Sequence, residues 1–125
     1  NIVELIIKNY EKNMKERMEL QQNLNTLKRM QLEKKLPTKD FVANDIEFLR
    51  ILGKAAHNTV AERIYNFIID FFEASIQITH SKHPYGEIVL EVHQSILEAI
   101  ESKDISLIRE AIDHSVDIWR NLQKE

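Results

Sequence analysis

Apolar residues recur at helical spacing almost from one end of the chain to the other. Ile2, Ile6, Tyr10, Met14 and Met18 step by four, Val3 and Ile7 widen that stripe, and Leu20, Leu24, Leu27 and Met30 continue it on a drifting face. The polar run Glu33-Lys34-Lys35 follows. Nothing between Asn1 and Leu36 is a strong breaker, so this stretch reads as one long helix or as two joined by a kink. A Met/Leu stripe of this kind is packing surface first and a partner seam second. Pro37 ends the region. Thr38 is placed to cap a second helix whose first turn carries Asp40, where the helix dipole favours negative charge. That helix runs to about Ala56, with Phe41, Asp45, Phe48, Leu52 and Ala55 on one face. Gly53 within it costs about 1 kcal/mol relative to alanine and marks the close approach of another helix.

Thr59-Val60-Ala61-Glu62 fits a capping box. From there to about Thr79 the chain is apolar almost all round, through Ile64, Tyr65, Phe67, Ile68, Ile69, Phe71, Phe72 and Ile76, which predicts the central and most buried helix. Residues 80–86 hold the turn signal Pro84-Tyr85-Gly86 and read as the clearest loop. The next helix spans about residues 87–101, with Val89, His93, Ile96 and Ile100 facing inward. Ser102-Lys103-Asp104 breaks it, Asp104 being the next cap. A last helix, about residues 105–124, is expected to bury Ile105, Ile108, Ile112, Ser115, Trp119 and Leu122. The fold class is therefore all-α, an antiparallel bundle of five to seven helices forming a single domain over residues 1–125.

Composition narrows this further. Gly and Pro number two each, too few for sandwiches, barrels or collagen-like repeats. With 43% hydrophobic residues and a net charge of −3, the chain is not disordered and, by itself, is a poor nucleic-acid binder. It has no Cys, which removes disulfides, thiolate zinc sites and cysteine nucleophiles, and suits a reducing cytoplasm. No apolar run approaches the roughly 18 residues of a membrane span. The start has neither a secretion signal nor a Met, so the chain is expected to be a fragment of something longer.

Candidate chemistry lies where polar residues interrupt apolar stripes. Asp45 sits between Phe41 and Phe48, His93 between Val89 and Ile96, and His114 borders the apolar face of the last helix. A buried carboxylate costs several kcal/mol unless it is paired or coordinated. Two imidazoles and a carboxylate facing one hollow would be satisfied together by a divalent cation. The bland reading is that each is a hydrogen-bonded core or boundary residue. His57, His80 and His83 read as surface residues.

These stretches resemble a known family. Asp45-Ile46-Glu47-Phe48-Leu49, followed by an apolar run, Ala55-Ala56 and Asn58, is similar to the pattern Asp-x-x-Phe-His, apolar residues, small residues and Asn. His93 to Asp104, closed by His114, is similar to the companion pattern His-x-x-Ile-x-x-Ala-Ile-x-x-x-Asp with a terminal His. Together they resemble the C-terminal effector-binding (FCD) domain of FadR-type GntR transcriptional regulators, well over residues 38–124 and loosely over residues 1–36.

The resemblance implies a non-enzymatic helical domain whose cavity binds a small-molecule effector, often a carboxylate beside a divalent metal such as Zn or Ni. It also implies a homodimer that reaches operator DNA through an N-terminal winged helix-turn-helix outside this chain. Carried over by position, Asp45, His93 and His114 fall on three metal ligands of the family. The fourth falls on Leu49, which cannot coordinate. That leaves a three-ligand site or none. Ser115 and Trp119 resemble the Ser-x-x-x-Trp segment of metal-free, fatty-acyl-CoA-responsive members and are candidate effector-cavity residues, although Trp119 also reads as a core aromatic. Two rivals stay open. One is a non-haem iron enzyme, since Asp/His/His matches a facial triad in ligand type; the other is a helical interaction module with no ligand.

Overall fold

The computed structural model describes residues 2–33, 39–82 and 86–123, and every element in them is helical. In order these are α1 (Ile2–Lys8), a 3-10 turn (Tyr10–Lys12), α2 (Met14–Leu32), α3 (Lys39–Ala55), α4 (Thr59–Lys82), α5 (Gly86–Ser102) and α6 (Ile105–Gln123). Pro37 and Thr38, and the cap expected there, lie outside the described residues, as do His83, Pro84 and Tyr85. The loop expected over residues 80–86 is shortened, because α4 continues to Lys82 and α5 begins at Gly86.

Residues 2–33 form two helices with a tighter turn between them. That turn changes the phase of the apolar stripe. Ile6 is buried before it; after it, Met14 and Met18 point outward, 62% and 58% exposed, contrary to the stripe read from the sequence. The inward row passes instead to Asn13, Leu20, Leu24 and Leu27.

Helix α3 packs against α2, α4 and α1, while α5 packs against α2 and α6. The main core joins Ile6, Leu20, Leu24, Phe48, Ile51, Leu52, Val92, Ile96, Ile100 and Ile108 from five of the helices. The stripe predicted for α3 is buried throughout: Phe41, Asp45, Phe48, Leu52 and Ala55. Gly53 does lie at a close approach, since a Cβ there would stand 3.0 Å from Tyr65 Cδ1 of α4.

Polar side chains lock α3 to its neighbours. Asn23 Nδ2 donates to Asn44 O and Asn44 Nδ2 returns a bond to Asn23 O, each at 3.0 Å. A helix leaves its last carbonyls without intrahelical partners. For α3, Asn13 Nδ2 donates to Ala55 O at 2.7 Å, and Asn9 Nδ2 donates to Ala56 O, just past the helix, at 2.8 Å. Asn13 also donates to Ile6 O at 3.0 Å and accepts from Arg17 Nε at 2.9 Å.

Two helix starts are set by short side chains. Asp104 Oδ1 accepts from Ser106 N–H at 2.9 Å, the cap expected for α6. For α4 the cap is Asn58, whose Oδ1 accepts from Ala61 N–H at 2.9 Å, rather than the capping box headed by Thr59. The amide oxygen one residue earlier satisfies the donor first, and Thr59 becomes helical.

The larger correction concerns α4 itself, which is not the central helix. It packs chiefly on α3, burying Ile69 and part of Tyr65, and leaves Val60, Ile64, Phe67, Ile68, Phe71, Phe72 and Ile78 exposed. A helix apolar all round needs cover on all sides, and one protomer supplies cover on one. In α6, Ile108 is buried as expected whereas Ile105 is exposed; the side chains of Ile112, Ser115, Trp119 and Leu122 lie outside the described ones.

Replacing Asn13 with Ala strands the Ile6 and Ala55 carbonyls and should cost about 2–4 kcal/mol. Asn13→Asp should cost a similar amount, because an ionised carboxylate cannot donate to either carbonyl. Urea unfolding followed by circular dichroism measures both, and wild-type stability in either variant contradicts the lock.

Candidate functional site

Asp45 and His93 meet inside the bundle, carried there by the stripes of α3 and α5. Asp45 is one turn from Phe41 and from Phe48, and His93 is one turn from Val89 and from Ile96, so neither helix can bury its apolar residues without taking its polar one along. Asp45 is 2% exposed and His93 4%. Asp45 Oδ1 accepts a hydrogen bond from His93 Nε2 at 2.8 Å. The imidazole lies flat on the Phe48 ring, with centroids 3.9 Å apart and planes 6° from parallel.

One ring nitrogen is thus engaged. The other, Nδ1, is buried without a hydrogen-bond partner among the described residues. Leaving such an atom unmet costs about 1–3 kcal/mol. A ligand group reaching it would recover that energy, accepting from Nδ1–H of an imidazolium or donating to a bare Nδ1.

His114 does not join the pair. It is exposed on α6 and lines an open groove of about 320 Å³ between α5 and α6, with Ser95, Glu98, Ala99, Leu107, Glu110 and Ala111. Leu49, at the position of the fourth family ligand, is half-buried and packs against the core. Among the described residues no three His, Asp or Glu side chains gather as a metal would need. The 2.8 Å between Asp45 Oδ1 and His93 Nε2 is also a direct hydrogen bond, shorter than the roughly 3.3 Å between two donors on one tetrahedral zinc. This donor set does not fit the metal centre that the resemblance implies.

Ser115 and Trp119 lie on α6, and their side chains are outside those described. The same holds for His80 at the end of α4. His57 is exposed, as expected for a helix end, yet it is not idle: its Nε2 stands 2.8 Å from Glu16 Oε1 of α2. It also holds the left-handed conformation that stops α3, at φ 49°.

The site residue that sequence reasoning missed is Phe48. The sequence puts it on the core face of its helix and within the family pattern, but does not show that it forms the platform for His93. Its spacing of three from Asp45 was the available signal, since one helical turn puts an aromatic ring and a carboxylate side by side.

His93→Phe should preserve the stack on Phe48 yet destabilise the domain by about 2–4 kcal/mol, because buried Asp45 loses its imidazole donor. A variant as stable as wild type in denaturant titrations would show that the carboxylate does not depend on this bond.

Three comparisons with known proteins bear on the chain as a whole. The model of the FCD domain family matches residues 2–117. No curated protein and no solved structure matches the chain. The match spans nearly the entire sequence, so the chain belongs to the FCD domain family, the C-terminal effector-binding domain of FadR/GntR-type regulators.

Proposed function

Because the chain is an FCD domain, we propose that it senses a small metabolite without a metal, and that the effector hydrogen-bonds to His93 Nδ1. The observation that carries this reading is one buried imidazole, held by Asp45 on one nitrogen, stacked on Phe48, and unmet on the other. Asp45 and Phe48 fix the ring so that Nδ1 keeps one direction, which makes it a selective contact. Leu49 adds apolar surface where a ligating side chain would have stood, and so favours an effector with a hydrocarbon portion beside its polar group.

The effector acts by population shift. It must bind one arrangement of the helices more tightly than another, and that difference is the most it can transmit. In the whole regulator, a homodimer in the cytoplasm, the shift would change the spacing of two winged helix-turn-helix modules on operator DNA. A coupling of about 1–3 kcal/mol is typical of such linkage. The proposal invokes no catalysis: Asp45 and His93 hydrogen-bond to each other and serve to position a contact for the effector. Among the described residues no helix is long and apolar enough to cross a membrane.

A thermal-shift screen of carboxylates, sugar acids and acyl-CoAs in the presence of EDTA tests the proposal. One class should raise the melting temperature, by an amount equivalent to about 2.7 kcal/mol at a hundred times its dissociation constant. His93→Phe should abolish the rise while the domain stays folded. A rise that appears only with Zn or Ni and disappears with EDTA overturns the metal-free reading.

A further inference from the structure

The exposed side of α4 repeats with the period of a helix that expects another helix. Val60, Ile64, Phe67, Phe71, Ala74 and Ile78 follow one another at spacings of four, three, four, three and four. That is a 3.5-residue repeat over nearly three heptads, the seam of helices that pack side by side. Every member faces solvent: Val60 is 67% exposed, Ile64 58%, Phe67 71%, Phe71 70% and Ile78 55%, and Ala74 is exposed as well. The side of α4 that meets α3 is a different one, carrying Tyr65, Ile69 and the polar Asn66 and Asp70. Among the described residues, the seam is therefore largely exposed within one protomer.

We propose that α4 pairs antiparallel with α4 of a second copy of this chain, about a twofold axis that passes near Ile69. Three properties of the seam select a second copy. First, it is self-complementary in that register. Val60 falls opposite the partner's Ile78, Ile64 opposite the partner's Ala74, and Phe67 opposite the partner's Phe71, so all six positions find partners and the smallest side chain meets a branched one. A parallel pair would set Ala74 against its own copy and leave a gap beside crowded Phe layers. Second, the flanks are compatible. Ile68 comes close to its own copy across the axis and adds apolar cover. On the other flank Asp70 approaches its own copy, but each Asp70 is already paired with Arg50 of its own protomer at 2.6 Å, which removes the repulsion. Third, the area is sufficient. The exposed side chains of this face amount to on the order of 700 Å² per protomer, close to the ~800 Å² that each partner gives to a standard interface. Lone monomers seldom leave a patch of that size open.

This names the surface for the homodimer proposed above, and the test reads assembly alone, so its outcome is separate from that of the effector screen. Sedimentation equilibrium of the 125-residue chain should show a dimer at micromolar concentration. The double variant Phe67→Glu, Phe71→Glu should raise the dissociation constant at least a hundredfold with helical content unchanged, since both rings face solvent. The chain lacks Cys, so single cysteines report the register. A mixture of Val60→Cys and Ile78→Cys chains should form the mixed disulfide under mild oxidation, whereas Val60→Cys alone should not. A monomer at all concentrations, a dimer that survives the double variant, or efficient crosslinking of Val60→Cys to itself each overturns the proposal.

Discussion

Helix α3 occupies the middle of the bundle only because each polar group it brings there is answered. Its sequence places Asn44 and Asp45 among Phe41, Ile46, Phe48 and Ile51, and its C-terminal end is met by Asn9 and Asn13, which flank the 3-10 turn. An unmet buried amide, carbonyl or carboxylate would each cost a sizeable share of the 5–15 kcal/mol that holds a domain together. Asn23 answers Asn44, Asn9 and Asn13 answer the terminal carbonyls, and His93 answers Asp45. Four partners on three other segments thus fix the depth and rotation of α3, and with them the position of the site.

The site inherits its character from that requirement. His93 is there as the partner of Asp45, and the stack on Phe48 leaves it little freedom to turn. Its second nitrogen is buried and has no hydrogen-bond partner among the described residues. Two carboxylate or amide oxygens, Glu16 Oε2 and Gln31 Oε1, are also buried without a partner among the described residues, but only His93 Nδ1 belongs to a group held between α3 and α5 in the core. Leu49 packs beside the core and His114 stands out on α6, which is why the proposed effector is an organic molecule held without a cation.

The same economy of surface explains α4. Among the described residues α4 is packed chiefly on α3, and its far side is left exposed. The apolar residues of α4 keep heptad spacing on that exposed face, which is the feature the proposed pairing with a second copy would cover.

Much of this was legible in order along the chain. Helical periodicity, the Asp104 cap, the tight approach at Gly53, and the inward placement of Asp45 and His93 all follow from local spacing, since residues three and four apart share a face whatever the tertiary fold. Local spacing also carried the family resemblance. It could not say how many neighbours a helix would have, so α4, apolar all round, was placed at the centre and found at the edge. Nor could it see that a 3-10 turn at Tyr10 would rotate Met14 and Met18 outward, or that His114 would stand apart from His93 on the adjacent helix. Those outcomes depend on crossing angles and helix rotations set by the whole packed assembly. The sequence by itself determined which residues are helical and which faces are greasy; only the tertiary structure decided which greasy faces meet, because burial is shared between elements and belongs to none of them alone.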